Sequence, residues 1–246
     1  MTQLPKKNSQ PPTKVRLNKY LAQLGLCSRR AADRYLTQGL VQVDGQVITQ
    51  LGTQINPQTQ KVQVQKKTLQ AQQKLTYYLL HKPTGYTTAM QRTQLDPQIV
   101  TDLVPPQPRV FPVGRLDKLT TGLLLLTNDG VLAYHLTHPK FACAKEYEAT
   151  LAAPLTKERE RKVAAGMRLA QVKTQPVQIK RLTNKRVRVI LTEGKNRQVR
   201  KIFGKVGCEV CALKRIRVQN LLLSNLPIGQ YRVLKKTEVQ ELLALK

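Results

Sequence analysis

The sequence predicts an α+β chain. A small front module of two helices and a small sheet precedes a larger domain with a mainly antiparallel mixed sheet and flanking helices. Three observations carry this. Residues 15–69 hold two short stretches with apolar residues at helical spacing, then Val-rich alternating segments around an Asp-Gly turn. Residues 75–246 mix strand patterns and helices without regular alternation, which argues for a mostly antiparallel sheet. Between them, residues 70–74 are polar and aperiodic and read as a linker, and residues 1–14 read as a disordered basic tail.

In the front module, residues 15–24 read as an amphipathic helix, with Leu17, Tyr20, Leu21 and Leu24 on one face and Gly25 ending it. Ser28 stands where an N-cap belongs, ahead of a second helix beginning at Arg29, and Gly39 stops that helix. Val41 and Val43, the Asp44-Gly45 turn, then Val47 and Ile48 give a hairpin, with Val62 and Val64 as a final strand.

In the larger domain, residues 75–80 read as a strand entering the turn-rich His81-Lys82-Pro83-Thr84-Gly85-Tyr86. Residues 107–111 lead into Gly114-Arg115-Leu116-Asp117. Residues 123–126 form a short, wholly apolar strand, and Asp129 caps a helix over 130–136. A strand over 145–151, a helix over 157–165 and paired strands over 177–182 and 186–191 follow. Beyond Gly194, the residues Val199, Ile202, Phe203 and Val206 share one helical face. Arg197, Lys201 and Lys205 point away from it, and Arg200 lies at its edge.

The chain has 246 residues, 42 Lys+Arg against 14 Asp+Glu and a net charge of +28. Such an excess repels itself unless a polyanion is the partner, and nucleic acid fits. The cations cluster accordingly: residues 1–70 hold eleven Lys/Arg against two acids, and residues 181–217 hold twelve against two. No secretory signal or membrane-length apolar run is visible, and four cysteines do not suggest a disulfide framework, so a cytoplasmic protein with no membrane contact is expected. Cys208 and Cys211 lack the second pair that a zinc site wants, and three positions apart on a strand they face opposite ways. There is no Walker pattern, dinucleotide fingerprint, Gly-x-Ser-x-Gly elbow or metal-ligand cluster.

The stretch Gly114-Arg115-Leu116-Asp117, running into Thr121-Gly122-Leu123-Leu124-Leu125-Leu126-Thr127-Asn128-Asp129-Gly130, is the most informative. In so basic a chain, a carboxylate between Arg115 and Lys118 needs a reason. The pattern resembles the catalytic loop of the RsuA/RluB/RluE/RluF-type pseudouridine synthases. The resemblance implies that Asp117 is the catalytic aspartate. It extends to Lys82-Pro83-Thr84-Gly85, to Lys145-Glu146-Tyr147, and to Gly194-Lys195-Asn196-Arg197-Gln198-Val199-Arg200. By this likeness Tyr147 stacks on the target base, with Leu191 as an opposite wall, and Arg200 pairs with Asp117 and keeps it ionised. The front module, through Arg16-Leu17-Asn18-Lys19-Tyr20 and Cys27-Ser28-Arg29-Arg30-Ala31-Ala32-Asp33, is similar to the RNA-binding module named after ribosomal protein S-four. Arg16, Lys19, Arg29, Arg30 and Arg34 are then candidate phosphate contacts, as are Arg115, Lys195, Arg197 and Lys201 near the catalytic loop. Lys82 is either a phosphate contact or a surface loop lysine. Leu119 departs from the acidic residue that many relatives carry there, which bears on the geometry of the loop.

The resemblance implies isomerisation of a uridine in ribosomal RNA without a cofactor or metal. Asp117 acts either as a nucleophile or as a base toward the ribose. The residues look most like the RluF-like subgroup, which implies 23S ribosomal RNA and leaves tRNA open as a second substrate. RluB-like or RsuA-like specificity also stays open, as does a pre-ribosomal large-subunit particle as the true substrate. A monomer is the default. The competing class is a non-catalytic RNA-binding ribosome-assembly protein, and a carboxylate set close to phosphate-binding cations argues against it.

Overall fold

The structure, a computed structural model, describes residues 14–65, 67–68, 73–169 and 171–244. The expected tail lies outside these residues apart from Lys14, as do residues 70–72 of the expected linker. The chain forms two compact units that divide between Lys74 and Leu75. Among the described residues, no helix is long and apolar enough to cross a membrane.

The front unit runs β1 (Val15–Arg16), α1 (Leu17–Gln23), α2 (Arg29–Thr37), β2 (Val41–Val43), β3 (Gln46–Val47), β4 (Gln54–Ile55), β5 (Val62–Val64) and β6 (Lys67–Thr68). Strands β2, β3, β5 and β6 form one sheet in the order β3-β2-β5-β6, while β1 pairs with β4. The first helix therefore starts two residues later than its periodicity suggests. Val15 and Arg16 are drawn into pairing with Ile55 and Gln54, where β-branched Val15 is at home. Leu17 N–H, free of any partner within the helix, donates to Thr53 C=O at 2.8 Å. The second helix begins as expected, with Ser28 Oγ accepting from Ala31 N–H at 3.2 Å. Asn18 Nδ2 donates to Asp33 Oδ1 at 2.9 Å and ties the two helices together. Their buried residues Leu17, Leu21, Ala32 and Leu36 close over Val41, Val43, Ile55 and Val62. Asp44 (φ 50°) and Gly45 (φ 82°) make the left-handed two-residue turn that hairpins favour.

The second unit runs β7 (Tyr77–Lys82), β8 (Phe111–Pro112), β9 (Thr121–Thr127), α3 (Gly130–Thr137), β10 (Lys145–Leu151), α4 (Lys157–Ala164), β11 (Arg168–Leu169), β12 (Val172–Lys173), β13 (Gln178–Arg181), β14 (Arg186–Leu191), α5 (Gln198–Gly204), β15 (Val210–Val218), β16 (Leu221–Leu222), β17 (Tyr231–Val233) and α6 (Lys236–Ala244). Its nine-stranded sheet has the order β13-β14-β10-β15-β9-β7-β17, with β16 on β15 and β8 on β9. Within this sheet the described β15–β9 contact is parallel and the other described strand pairings are antiparallel. The strand at the start extends two residues past expectation, because His81 and Lys82 continue pairing with Leu123 and Gly122. The apolar run of β9 is explained by burial on both faces. Leu124 and Leu126 pack with Leu80, Val100 and Leu116. Leu123 and Leu125 pack with Leu79, Leu132 and Leu136. A separate cluster docks Val199, Ile202 and Phe203 of α5 on Val187, Val189 and Leu191 of β14. Asp129 caps α3, accepting from Val131 N–H at 2.9 Å and Leu132 N–H at 3.1 Å.

The parallel contact has one strict steric requirement. Gly122 has φ +111°, and a Cβ there would stand 2.2 Å from Arg215 C=O and 2.5 Å from Arg215 N. Backbone cannot yield as a flexible side chain can. Gly122→Ala is therefore expected to lose about 3 kcal/mol or more of stability, read by urea denaturation of the whole chain. Ser28→Ala should lose about 1 kcal/mol from the front unit by the same measurement.

Candidate active site

The segment from Gly114 to Thr120 links β8 to β9 and is held from two sides. Gly114 turns the chain at φ +72°. Leu116 is buried, and Thr88 grips its peptide groups: Thr88 Oγ1 donates to Leu116 C=O at 2.7 Å and accepts from Leu116 N–H at 3.2 Å. Beyond Asp117 the loop rests on Lys82. This side chain is wholly buried, and its ammonium donates to the carbonyls of Pro83 (2.8 Å), Lys118 (3.3 Å) and Thr120 (3.0 Å). Gly85 N–H also donates to Lys118 C=O, and Thr120 N–H to Asp117 C=O, both at 3.0 Å.

Lys82 is thus neither a phosphate contact nor a surface lysine, and both sequence expectations fail. The turn-rich composition after Leu80 hid the fact that Lys82 is still in β7, facing the underside of the loop. Burial draws its pKa down to about 8, against the opposing pull of the Asp117 charge.

Asp117 itself is half-buried, and its carboxylate has no hydrogen-bond or ion-pair partner among the described residues. The expected Arg200–Asp117 pair is not formed. The Arg200 guanidinium donates instead to Val210 C=O at 2.7 Å and to Leu119 C=O at 3.3 Å. Burial lowers the Arg200 pKa, and Arg197 adds to this, while Asp117 acts in the opposite sense through its charge alone. Arg200 therefore braces the loop at Leu119 and supports Asp117 through the field. The Leu119 side chain is 65% exposed, so the missing acid there takes nothing from the loop's anchorage.

Asp117 opens into a cavity of about 630 Å³ whose wall includes Arg115, Lys145, Tyr147, Leu191, Arg197, Leu213 and Arg215. That size suits a nucleotide-scale ligand. Tyr147 and Leu191 share one face of the sheet: Lys145 is paired with Leu191 and Tyr147 with Val189. Leu191 thus lies diagonally beside Tyr147 rather than opposite it. Strand pleating, invisible until the register is known, decides this. Six cations line the wall (Arg115, Lys118, Lys145, Lys195, Arg197 and Arg215) against two carboxylates, Asp117 and Glu193.

These cations differ in freedom. Lys118 is paired with Asp96 at 2.8 Å and Lys195 with Glu193 at 2.9 Å. Arg115 and Arg197 are exposed and have no side-chain partner among the described residues. Lys201 is exposed and donates to Oδ1 of the wall residue Asn196 at 3.0 Å, without lining the cavity itself. Arg16, Lys19, Arg29, Arg30 and Arg34 are all exposed on the front unit.

Sequence reasoning missed three contributors. Arg215 is buried at 3% exposure and donates to Leu123 C=O at 2.7 Å. Lys145 donates to Cys143 C=O at 2.9 Å, and burial lowers its pKa. The alternation Leu213, Arg215 along a strand was an available sign that Arg215 faces inward. Thr88 gave no such sign. Cys208 is buried and Cys211 exposed, and no group of three or more His, Cys, Asp or Glu among the described residues could hold a metal.

The RNA pseudouridylate synthase family matches residues 76–205, and the S4 domain matches residues 15–70. The chain is 39% identical over 237 residues to ribosomal large subunit pseudouridine synthase B of Bacillus subtilis (strain 168), covering 94% of this chain and 96% of that protein. It is 36% identical over 236 residues to the dual-specificity RNA pseudouridine synthase RluF of Escherichia coli (strain K12), covering 96% and 80%. A crystal structure of a pseudouridylate synthase superposes with a TM-score of 0.68 at 28% identity, covering 93% of this chain and 99% of that one.

The buried ammonium makes stability pH-dependent with a definite sign. The folded pKa of Lys82, about 8, lies below its usual 10.5. Holding Lys82 charged in the fold therefore opposes folding in full below pH 8, and this opposition is relieved as pH rises toward 10.5. Lys82→Met takes the ammonium from three carbonyls, of which Lys118 C=O keeps Gly85 N–H, and should lose about 2–4 kcal/mol at pH 7. The loss should grow by about 1–2 kcal/mol at pH 9.5, read by urea denaturation of both proteins at each pH.

Proposed function

The chain belongs to the RNA pseudouridylate synthase family, and from that premise we propose that it converts a uridine of large-subunit ribosomal RNA to pseudouridine with Asp117 as the catalytic carboxylate. The observation that carries the reading is the free carboxylate in a cation-lined cavity. A carboxylate that served only structure would be paired, and a site that served only to bind phosphate would hold none.

The reaction breaks the bond between ribose C1′ and N1 of uracil, turns the ring, and joins C1′ to C5. The C5 proton leaves to solvent and N1 gains one, so no oxidant or transferred group is required. Asp117 either attacks C1′ or takes a ribose proton, and its unpaired oxygens suit both routes. The clamp of Lys82 and Thr88 fixes where it stands. A flipped uridine has lost its stack at a cost of a few kcal/mol. The half-buried Tyr147 ring on the wall can return about 1–3 kcal/mol of it. The exposed Arg115 and Arg197 on the same wall meet the flanking phosphates in this reading.

Residues 15–69 anchor the RNA in this reading, through the exposed cations of α1 and α2. Identities of 39% and 36% to the two named relatives do not separate their subgroups. The large-subunit target rests on the name of the first. A second RNA substrate would follow the dual specificity in the name of the second.

Tritium released from large-subunit ribosomal RNA transcribed with C5-tritiated uridine tests the function. Stoichiometric release is expected. No release from this RNA or from assembly intermediates, despite tight binding, would favour the binding-protein class. The double variant Arg29→Gln/Arg30→Gln should weaken RNA binding and lower the log–log salt slope by about 1.4–1.8, since each lost phosphate contact removes about 0.7–0.9; filter binding over a salt series reads this. Thr88→Val should lower kcat by about tenfold or more with KM little changed, and Thr88→Ser should retain most activity.

A further inference from the structure

Beside the cavity mouth, four rings gather that the mechanism above does not use. They belong to Tyr134 and His135 of α3, to His138 at its end, and to Phe141 in the short turn Pro139–Phe141. The chain has only three Phe, eight Tyr and no Trp, so this concentration is not what composition alone would scatter there. Tyr134 and His138 lie with centroids 4.7 Å apart at 46°, and His135 and Phe141 4.5 Å apart at 41°. Tyr134 and Phe141 meet edge to face at 5.7 Å. The Lys140 ammonium stands 4.6 Å from the Phe141 centroid and 5.4 Å from that of Tyr134.

Such a cluster normally closes a core. Here it stays open: Tyr134 is 45% exposed and His138 is exposed as well. His138 belongs to the cavity wall together with Thr137, Pro139 and Asp117. Its Nδ1 accepts from Lys140 N–H at 3.3 Å, which sets the ring against the turn. The result is a supported imidazole, backed by a phenol ring and flanked by an ammonium, at the entrance to the pocket that holds Asp117.

We propose that the His138–Tyr134 pair is a stacking shelf for an unpaired RNA base next to the target uridine, with Lys140 meeting the adjoining phosphate. The proposal rests on the pseudouridine synthase reading and adds a nucleotide subsite to it. When one nucleotide leaves its stack, a neighbour loses its partner, and an aromatic face at the pocket mouth replaces it regardless of base identity. The occupant is RNA because the shelf is continuous with the wall around Asp117, and because the exposed groups beside it are cationic. The shelf would favour substrates in which the flanking base is unpaired and would contribute to the choice of uridine.

Two measurements on the full chain test this. The first is steady-state tritium release from the large-subunit transcript by the wild type, His138→Leu, Tyr134→Leu and His138→Phe. The Leu variants are expected to raise KM about 5- to 100-fold with kcat within twofold, and His138→Phe to restore KM. The second is filter binding of the same RNA in an Asp117→Asn background, where His138→Leu should weaken affinity by a similar factor without any turnover. Unchanged KM and affinity in the Leu variants would overturn the shelf, as would a His138→Phe variant as impaired as His138→Leu at equal thermal stability. Wild-type protein that releases no tritium but still loses affinity in the Leu variants would contradict the assigned reaction and leave the shelf standing.

Discussion

Three backbone carbonyls and one buried ammonium hold the Asp117 loop in place. Without Lys82, the carbonyls of Pro83 and Thr120 would lose this donor and that of Lys118 would keep only Gly85 N–H, so the loop would lose its common anchor. Thr88 does the matching work on the other side of Asp117, satisfying both peptide groups of Leu116. The carboxylate stands between these two anchors, so its position is fixed by its neighbours' backbones and not by a bond of its own. That separation of holding from reacting matters chemically. A carboxylate held by its own ion pair would have to give that pair up before it could act on a ribose.

The sheet supports the same arrangement. β7 brings Lys82 under the loop, β9 begins where the loop ends, and β10 and β15 carry Tyr147, Lys145 and Arg215 to the cavity wall. The close parallel contact of β9 with β15 needs Gly122 for its backbone approach. Around this frame cations outnumber carboxylates on the cavity wall, so a polyanion can enter the field and still meet one free carboxylate. In the proposed reading, exposed arginines on the front unit add affinity that depends on salt and carries no sequence information. In the same reading, discrimination among uridines falls to the pocket and to the proposed aromatic shelf beside it.

Much of this was legible in the residues. Gly114-Arg115-Leu116-Asp117 before a wholly apolar run marked a loop at the end of a buried strand. Ser28 and Asp129 marked helix starts, and the spacing of Val199, Ile202 and Phe203 marked the buried face of α5. These are local signals, and local physics decides them. What was not legible depends on partners distant in sequence. Val15 and Arg16 extend because Gln54 and Ile55 pair with them. Lys82 is buried because β9 continues alongside it, although Pro83, Thr84 and Gly85 read as surface turn. Arg200 lies where helical phase put it, yet its donors find Val210 and Leu119 carbonyls that no periodicity announces. Leu191 flanks Tyr147 because of a register that a single strand pattern does not contain.

The central claim is that the free Asp117 carboxylate performs the chemistry while other groups hold the RNA. It is tested most directly by mapping pseudouridine at nucleotide resolution in large-subunit ribosomal RNA after treatment with wild-type protein or Asp117→Asn, with RNA affinity measured in parallel. The account predicts conversion by the wild type, none by Asp117→Asn, and affinities that agree within about threefold, a difference of less than 1 kcal/mol. Conversion that persists in Asp117→Asn, or is lost only in proportion to lost RNA binding, would contradict it.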